Sequence, residues 1–105
     1  MPAEVTVTPW PAESSPTQPA IRRRFDEEGL HPYAWSNGPG DFYPAHSHSY
    51  HKVIYVVNGT ITFGLPDRGE ALSLRPGDRL DLPAGIRHDA MVGPEGVRCL
   101  EAHLK

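Results

Sequence analysis

Histidines raise the first chemical question. The chain holds six, and two of them stand one residue apart: His46 and His48, in Gly40-Asp41-Phe42-Tyr43-Pro44-Ala45-His46-Ser47-His48. In an extended strand alternate side chains share a face, so this pair would point two imidazoles the same way. A third histidine on a facing strand would complete a metal tripod, because neutral imidazole ligates Zn, Fe, Cu and Ni. His88, downstream of Gly77, Pro83 and Gly85, is a candidate for that place. The pattern predicts one divalent transition metal ion held by extended structure. Histidine alone does not distinguish Zn, Fe, Mn, Ni and Cu.

A tripod needs a frame, and the chain carries the signals of a β frame. Its 105 residues include 12 prolines and 10 glycines, and few windows favour helix. Strand-like runs cover 31–36, 50–58, 60–64, 70–74, 79–82, 87–92 and 97–104. Asn37-Gly38, Asn58-Gly59, Pro66-Asp67, Pro76-Gly77 and Gly93-Pro94 punctuate them. Many short strands at regular spacing predict an all-β sandwich or barrel. Asn58-Gly59 reads as a hairpin turn, since both central positions of a type I′ turn need positive φ. Residues 1–20 hold five of the prolines and predict an extended arm with a short strand over 4–8. One helix is expected over 19–28. Thr17 or Gln18 lies near its start, and Gly29 stands where a left-handed cap would sit. The organisation expected is an arm and short helix over 1–30, packed on a barrel of 31–105.

Bulk properties exclude several classes. A net charge of -3 gives no general attraction to nucleic acid or anionic membrane. Arg22, Arg23 and Arg24 are followed at once by Asp26, Glu27 and Glu28, which makes a self-neutralising solvated helix. A single cysteine, Cys99, leaves no internal disulfide framework and reads as a small buried hydrophobe. No apolar leader or membrane-length stretch is visible. The expectation is a cytoplasmic protein with neither nucleic acid nor membrane as partner.

The glycine and histidine spacing resembles the cupin superfamily. Its first motif reads G-x5-H-x-H-x3,4-E-x6-G, and this chain gives Gly40, His46, His48, Lys52 at the glutamate position and Gly59. The second reads G-x5-P-x-G-x2-H-x3-N, and this chain gives Gly77, Pro83, Gly85, His88 and Val92. The resemblance spans about residues 40 to 92. It implies a small antiparallel jelly-roll-like barrel and makes His46, His48 and His88 the metal ligands. Val92 replaces a residue that is not a ligand. Lys52 is the larger departure, because a protonated ammonium cannot coordinate.

Three further residues bear on the site. On a regular strand 46, 48, 52, 54 and 56 share a face, which turns Lys52 inward above Ile54 and Val56 and His51 outward. A bulge would reverse this and bring His51 in. The regular register is favoured, because Ile54 and Val56 then continue the inner face. In the last strand Val97, Cys99, Glu101 and His103 alternate with Arg98, Leu100, Ala102 and Leu104. Glu101 either pairs with Lys52, supplies the missing carboxylate or lies on the surface, and base rates favour the surface. His31 and His103 have no motif support.

Three neutral histidines leave a divalent ion its full charge, which favours a small anionic ligand. Lys52 adds to that preference. If unpaired it would be pushed toward its neutral form and could act as a general base. The resemblance implies a metal-dependent dioxygenase, isomerase or lyase. The alternative is a non-catalytic small-ligand-binding cupin with a degenerate or empty metal site. A homodimer is expected, with the strand of the N-terminal arm added to a partner's sheet.

Overall fold

The computed structural model describes residues 4–11 and 13–104. It contains one helix and seven strands: β1 (Thr6–Thr8), α1 (Gln18–Glu27), β2 (Tyr33–Asn37), β3 (Phe42–His46), β4 (His51–Leu65), β5 (Glu70–Leu74), β6 (Arg79–Leu82) and β7 (His88–Leu104). All pairings are antiparallel. The expected jelly-roll-like all-β barrel with one short N-terminal helix is the fold observed.

Two long strands build it. β4 and β7 pair along most of their length, but their register shifts between Val56 and Asn58 and again between Gly59 and Ile61. Each strand therefore serves two half-sheets. The first runs β1-β6-β4-β7-β2, using β4 up to Asn58 and β7 from Val97. The second uses the remaining halves, with β5 beside β4 and β3 beside β7. Glycine makes the shared corner. Gly59 has φ 77° and Gly96 φ 81°. A Cβ on Gly59 would lie 2.0 Å from the Gly96 carbonyl oxygen, closer than any side chain can approach.

This corner corrects two expectations. Asn58-Gly59 is not a hairpin turn, and Gly93-Pro94 does not divide two strands. The positive φ read at Gly59 is present, but it serves a bulge that bends a continuous strand instead of reversing it. β3 was not among the expected strands. It carries Pro44, which a strand accepts only at an edge, and among the described residues β3 pairs on one side only, with β7.

The helix forms where its end signals stand, shifted by one residue. Thr17 caps it, its hydroxyl accepting from the Ala20 amide at 3.3 Å, and Pro19 occupies the first turn. Gly29, at φ 71°, follows its end. Ile21 and Phe25, four residues apart, share its inward face and are fully buried. They pack with Leu30 on Val53, Tyr55, Val57, Leu100 and Ala102, on the outer face of the first half-sheet. The inner core lies between the half-sheets. It contains Ile54, Val56, Ile61, Phe63, Leu80, Cys99 and their neighbours. Burial pushes the Cys99 thiol up to about 12, so it stays neutral. Among the described residues no helix is long and apolar enough to cross a membrane.

β1 pairs with β6 of the same chain, covering that edge of the first half-sheet.

Candidate metal centre

His46 is the last residue of β3, and His88 the first of β7, directly opposite it in the register. His48 lies in the short connection between β3 and β4. That connection is held down by the Gly85 amide, which donates to the His48 carbonyl at 2.8 Å. The two imidazoles of the H-x-H pair therefore do not share a face of one strand, as expected. They converge because a strand end, a pinned loop and a facing strand start meet at one mouth of the barrel. The nitrogen atoms that the three could offer all lie within 4.8 Å of one another, so the group could hold a metal ion.

The second ring nitrogen of each histidine is already engaged. The Nδ1–H of His46 donates to the Pro44 carbonyl at 2.7 Å. That of His88 donates to the Ile86 carbonyl at 2.9 Å. Carbonyls only accept, so these bonds fix the tautomer that leaves Nε2 with a free lone pair. The Nδ1 of His48 meets the Tyr50 hydroxyl at 3.2 Å. The His48 Nε2 is buried and has no hydrogen-bond partner among the described residues. A buried polar atom without a partner normally costs about 1–3 kcal/mol, and a metal ion would satisfy it. The donor set thus fits a divalent transition ion. Two of the three rings are also held neutral. Burial, followed by the Lys52 ammonium, lowers His48 to about 4. Burial likewise lowers His88.

Beside the histidines lies a cavity of about 240 Å³ bounded by Trp35, Tyr43, Lys52, Ile54, Ile61, Phe63 and Glu101, among others. Lys52 faces it, as the regular register predicted, although 46 to 56 is not one strand. His51 faces the other way, its Nε2 3.0 Å from Asp81, and is not brought to the histidine group.

Glu101 overturns the base-rate expectation. It is 2% exposed and sits on the cavity wall. Its carboxylate accepts from the Tyr33 hydroxyl (2.9 Å), the Trp35 indole N–H (3.0 Å) and the His103 Nε2 (2.6 Å). Lys52 Nζ lies 3.3 Å away as a fourth donor. Burial alone would raise its pKa. The bonds from His103, Lys52 and Tyr33 outweigh burial and hold the carboxyl below its ordinary value. Burial and the same bond push the Tyr33 hydroxyl well above its usual range, keeping it a donor. The argument for a neutral Lys52 required an unpaired amine, and that premise fails. Sequence reasoning missed Tyr33, Trp35 and His103 as partners of Glu101, and Tyr50 as partner of His48. The signal available was parity with Glu101 across β7.

The family model described as Cupin domain matches residues 35–103. No curated protein matches the chain. Solved structures do. A duf861 family protein from Thermotoga maritima is 17% identical, with a TM-score of 0.65, over 96% of this chain and 100% of that one. A cupin-2 domain containing protein from Shewanella frigidimarina is 18% identical, with a TM-score of 0.62, over 72% of this chain and 71% of that one. The polyketide cyclase RemF from Streptomyces resistomycificus is 27% identical, with a TM-score of 0.63, over 72% of this chain. The match spans 55% of the cyclase.

Proposed function

The chain belongs to the cupin family, and on that premise we propose that His46, His48 and His88 hold one divalent transition metal ion through their Nε2 atoms. The cavity beside them then binds a small anionic molecule. The observation that carries this reading is the state of the nitrogens. Every Nδ1 has a partner, and the buried Nε2 of His48 has none. Bound there, a divalent ion supplies Lewis-acid chemistry to a coordinated oxygen. The chain's own residues orient the three imidazoles, keep His48 and His88 unprotonated and present an apolar wall that limits water.

The likeness to a polyketide cyclase supports an enzyme acting on a small organic molecule, and the family resemblance extends the candidate reactions to the dioxygenase, isomerase and lyase classes. One observation favours a second reading. Lys52 stands where the family pattern has a glutamate, and Glu101 is fully engaged by other donors. A site without a carboxylate ligand suits a non-catalytic cupin that binds a small ligand. A homodimer in a reducing, cytoplasmic setting completes the proposal. Phe42 and Met91, adjacent and more than half exposed on the outer face of the second half-sheet, support the dimer, and sedimentation tests it.

Metal analysis tests the centre. Purified protein titrated with zinc should bind one equivalent. Loss of a supporting partner alone costs 10–100-fold in affinity, so His88→Ala should weaken zinc by more than about 100-fold. Equal zinc affinity in parent and variant would reject the assignment.

A further inference from the structure

The cavity beside the histidines is selective in a way that net charge does not describe, because its polar side chains are almost all committed to one another. The Tyr33 hydroxyl and the Trp35 N–H both donate to Glu101. The Tyr43 hydroxyl donates to Asn37. A carboxylate offers about four acceptor sites, and Glu101 is met by four donors. The Nδ1 atoms of His46 and His88 are taken by carbonyls.

Lys52 differs. An ammonium carries three N–H donors. Among the described residues Lys52 Nζ has one charged partner, Glu101 at 3.3 Å. Its side chain is 15% exposed, and it lines the cavity. The cavity therefore offers a ligand the N–H donors of Lys52 and few acceptors in return: the Tyr33 and Tyr43 hydroxyl oxygens, and the Nε2 lone pairs of His46 and His88 when no ion holds them. The rest of the wall is apolar, formed by Ile54, Ile61, Phe63 and Ala90. At about 240 Å³ it is smaller than the roughly 300–1,000 Å³ that drug-sized ligands fill.

We propose that Lys52, positioned by Glu101, is the specificity-determining group of this cavity, and that its ligand is a small molecule with an apolar, ring-sized body and an acceptor-only acidic group, a carboxylate or enolate. Amines are rejected because an ammonium meets the like charge of Lys52, and polyhydroxylated molecules because burying more O–H donors than the cavity has acceptors costs more than their contacts return. The proposal deepens the metal-centre reading and rests on it for the ligand's second anchor. Lys52 and the apolar wall are independent of the ion.

Benzoate and benzylamine, matched in ring and size, are the probes. Each is titrated by calorimetry into zinc-loaded and chelator-stripped protein, for the parent and Lys52→Met, with zinc content measured on every sample. The expected result is benzoate binding to the zinc-loaded parent, no measurable benzylamine binding, and at least a tenfold loss of benzoate affinity in Lys52→Met at unchanged zinc content. If the parent takes up no zinc, the metal-centre reading fails. The Lys52 proposal is then judged on stripped protein, where Lys52→Met must still abolish benzoate binding. If Lys52→Met does not fold, the double variant Lys52→Met/Glu101→Gln, which removes both charges, replaces it. Benzylamine binding as tightly as benzoate, benzoate affinity indifferent to residue 52, or no benzoate binding by either form of the parent would each overturn the proposal.

Discussion

The first half-sheet has two buried faces that do opposite things. Along β4, Val53, Tyr55 and Val57 face α1, while Lys52, Ile54 and Val56 face the barrel interior. Along β7, Leu100 and Ala102 face the helix, while Cys99 and Glu101 face inward. The outer face is apolar where the helix covers it. Its charged groups, Arg79 with Glu28 and Asp81, and Asp81 with His51, are joined in ion pairs. The inner face carries a buried ion pair and borders the cavity beside the histidine group. Burying an apolar side chain such as Ile21 or Phe25 stabilises by about 1.5–3 kcal/mol. Burying charge costs several kcal/mol per ion before pairing offsets it. One set of strands thus carries stability on one face and chemistry on the other, and the helix makes that division possible.

The sharpest way to break the comparison is to damage the outer face. Phe25→Ala empties a fully buried site and should lower the unfolding free energy by about 3–5 kcal/mol, read by urea denaturation. Zinc affinity of the folded fraction should not change. A tenfold drop in that affinity would show that the two faces are coupled.

The inner face should respond to pairing instead of volume. Glu101→Gln leaves Lys52 buried beside a neutral amide, at a cost of about 3 kcal/mol, the lower end for breaking a buried pair. Lys52→Met/Glu101→Gln should recover most of that loss, because both charges go together. A double variant no more stable than Glu101→Gln would mean that the ammonium is solvated in place.

How much of this was legible follows from the same two faces. The helix was readable from Thr17 and Gly29, because caps are local chemistry. The three histidines were readable from their motif spacing. Glu101 was not. With α1 covering the outer face, Leu100 and Ala102 are as apolar as Val97 and Cys99, so alternation along β7 could not tell inside from outside. Lys52 was placed inward by parity, yet the strand that parity assumed does not exist between His46 and His51. The corner at Gly59 was misread as a turn because positive φ at glycine serves both devices, and only the partner glycine in β7 distinguishes them.

Acid should separate the faces again, with a smaller effect. His48 is held neutral down to about 4, whereas in the unfolded chain it takes up a proton near its ordinary 6.5. Between these values the unfolded state binds more protons, so stability falls as pH drops. His88 shifts in the same direction. Glu101 is held low, so its contribution is present above its ordinary 4.5 and is lost only below that. Metal-free protein should therefore lose thermal stability in two stages, the histidine stage from pH 6.5 to about 4 and the Glu101 stage below 4.5. His48→Ala should flatten the upper stage, and Phe25→Ala should leave its slope unchanged. An unaltered slope in His48→Ala would remove the histidine group from the account.

The smallest effect tests the direction of a single side chain. His51 is adjacent to Lys52 and three residues from His48, so sequence distance alone would place it at the histidine group. The register sends it to the opposite face, where its Nε2 meets Asp81 and Asp81 in turn meets Arg79. Its side chain is 28% exposed, and partly exposed pairs are worth about 0–1 kcal/mol. His51→Ala should therefore cost less than about 1 kcal/mol and leave zinc affinity at the parent value, since Arg79 still holds Asp81. Lys52→Glu, one residue along, should tighten zinc if the new carboxylate reaches the ion, although it would also set two carboxylates side by side at Glu101. A fall in zinc affinity in His51→Ala with no change in Lys52→Glu would mean that β4 enters the barrel one residue out of the register described. Every inward and outward assignment from His51 to Asn58 would then exchange.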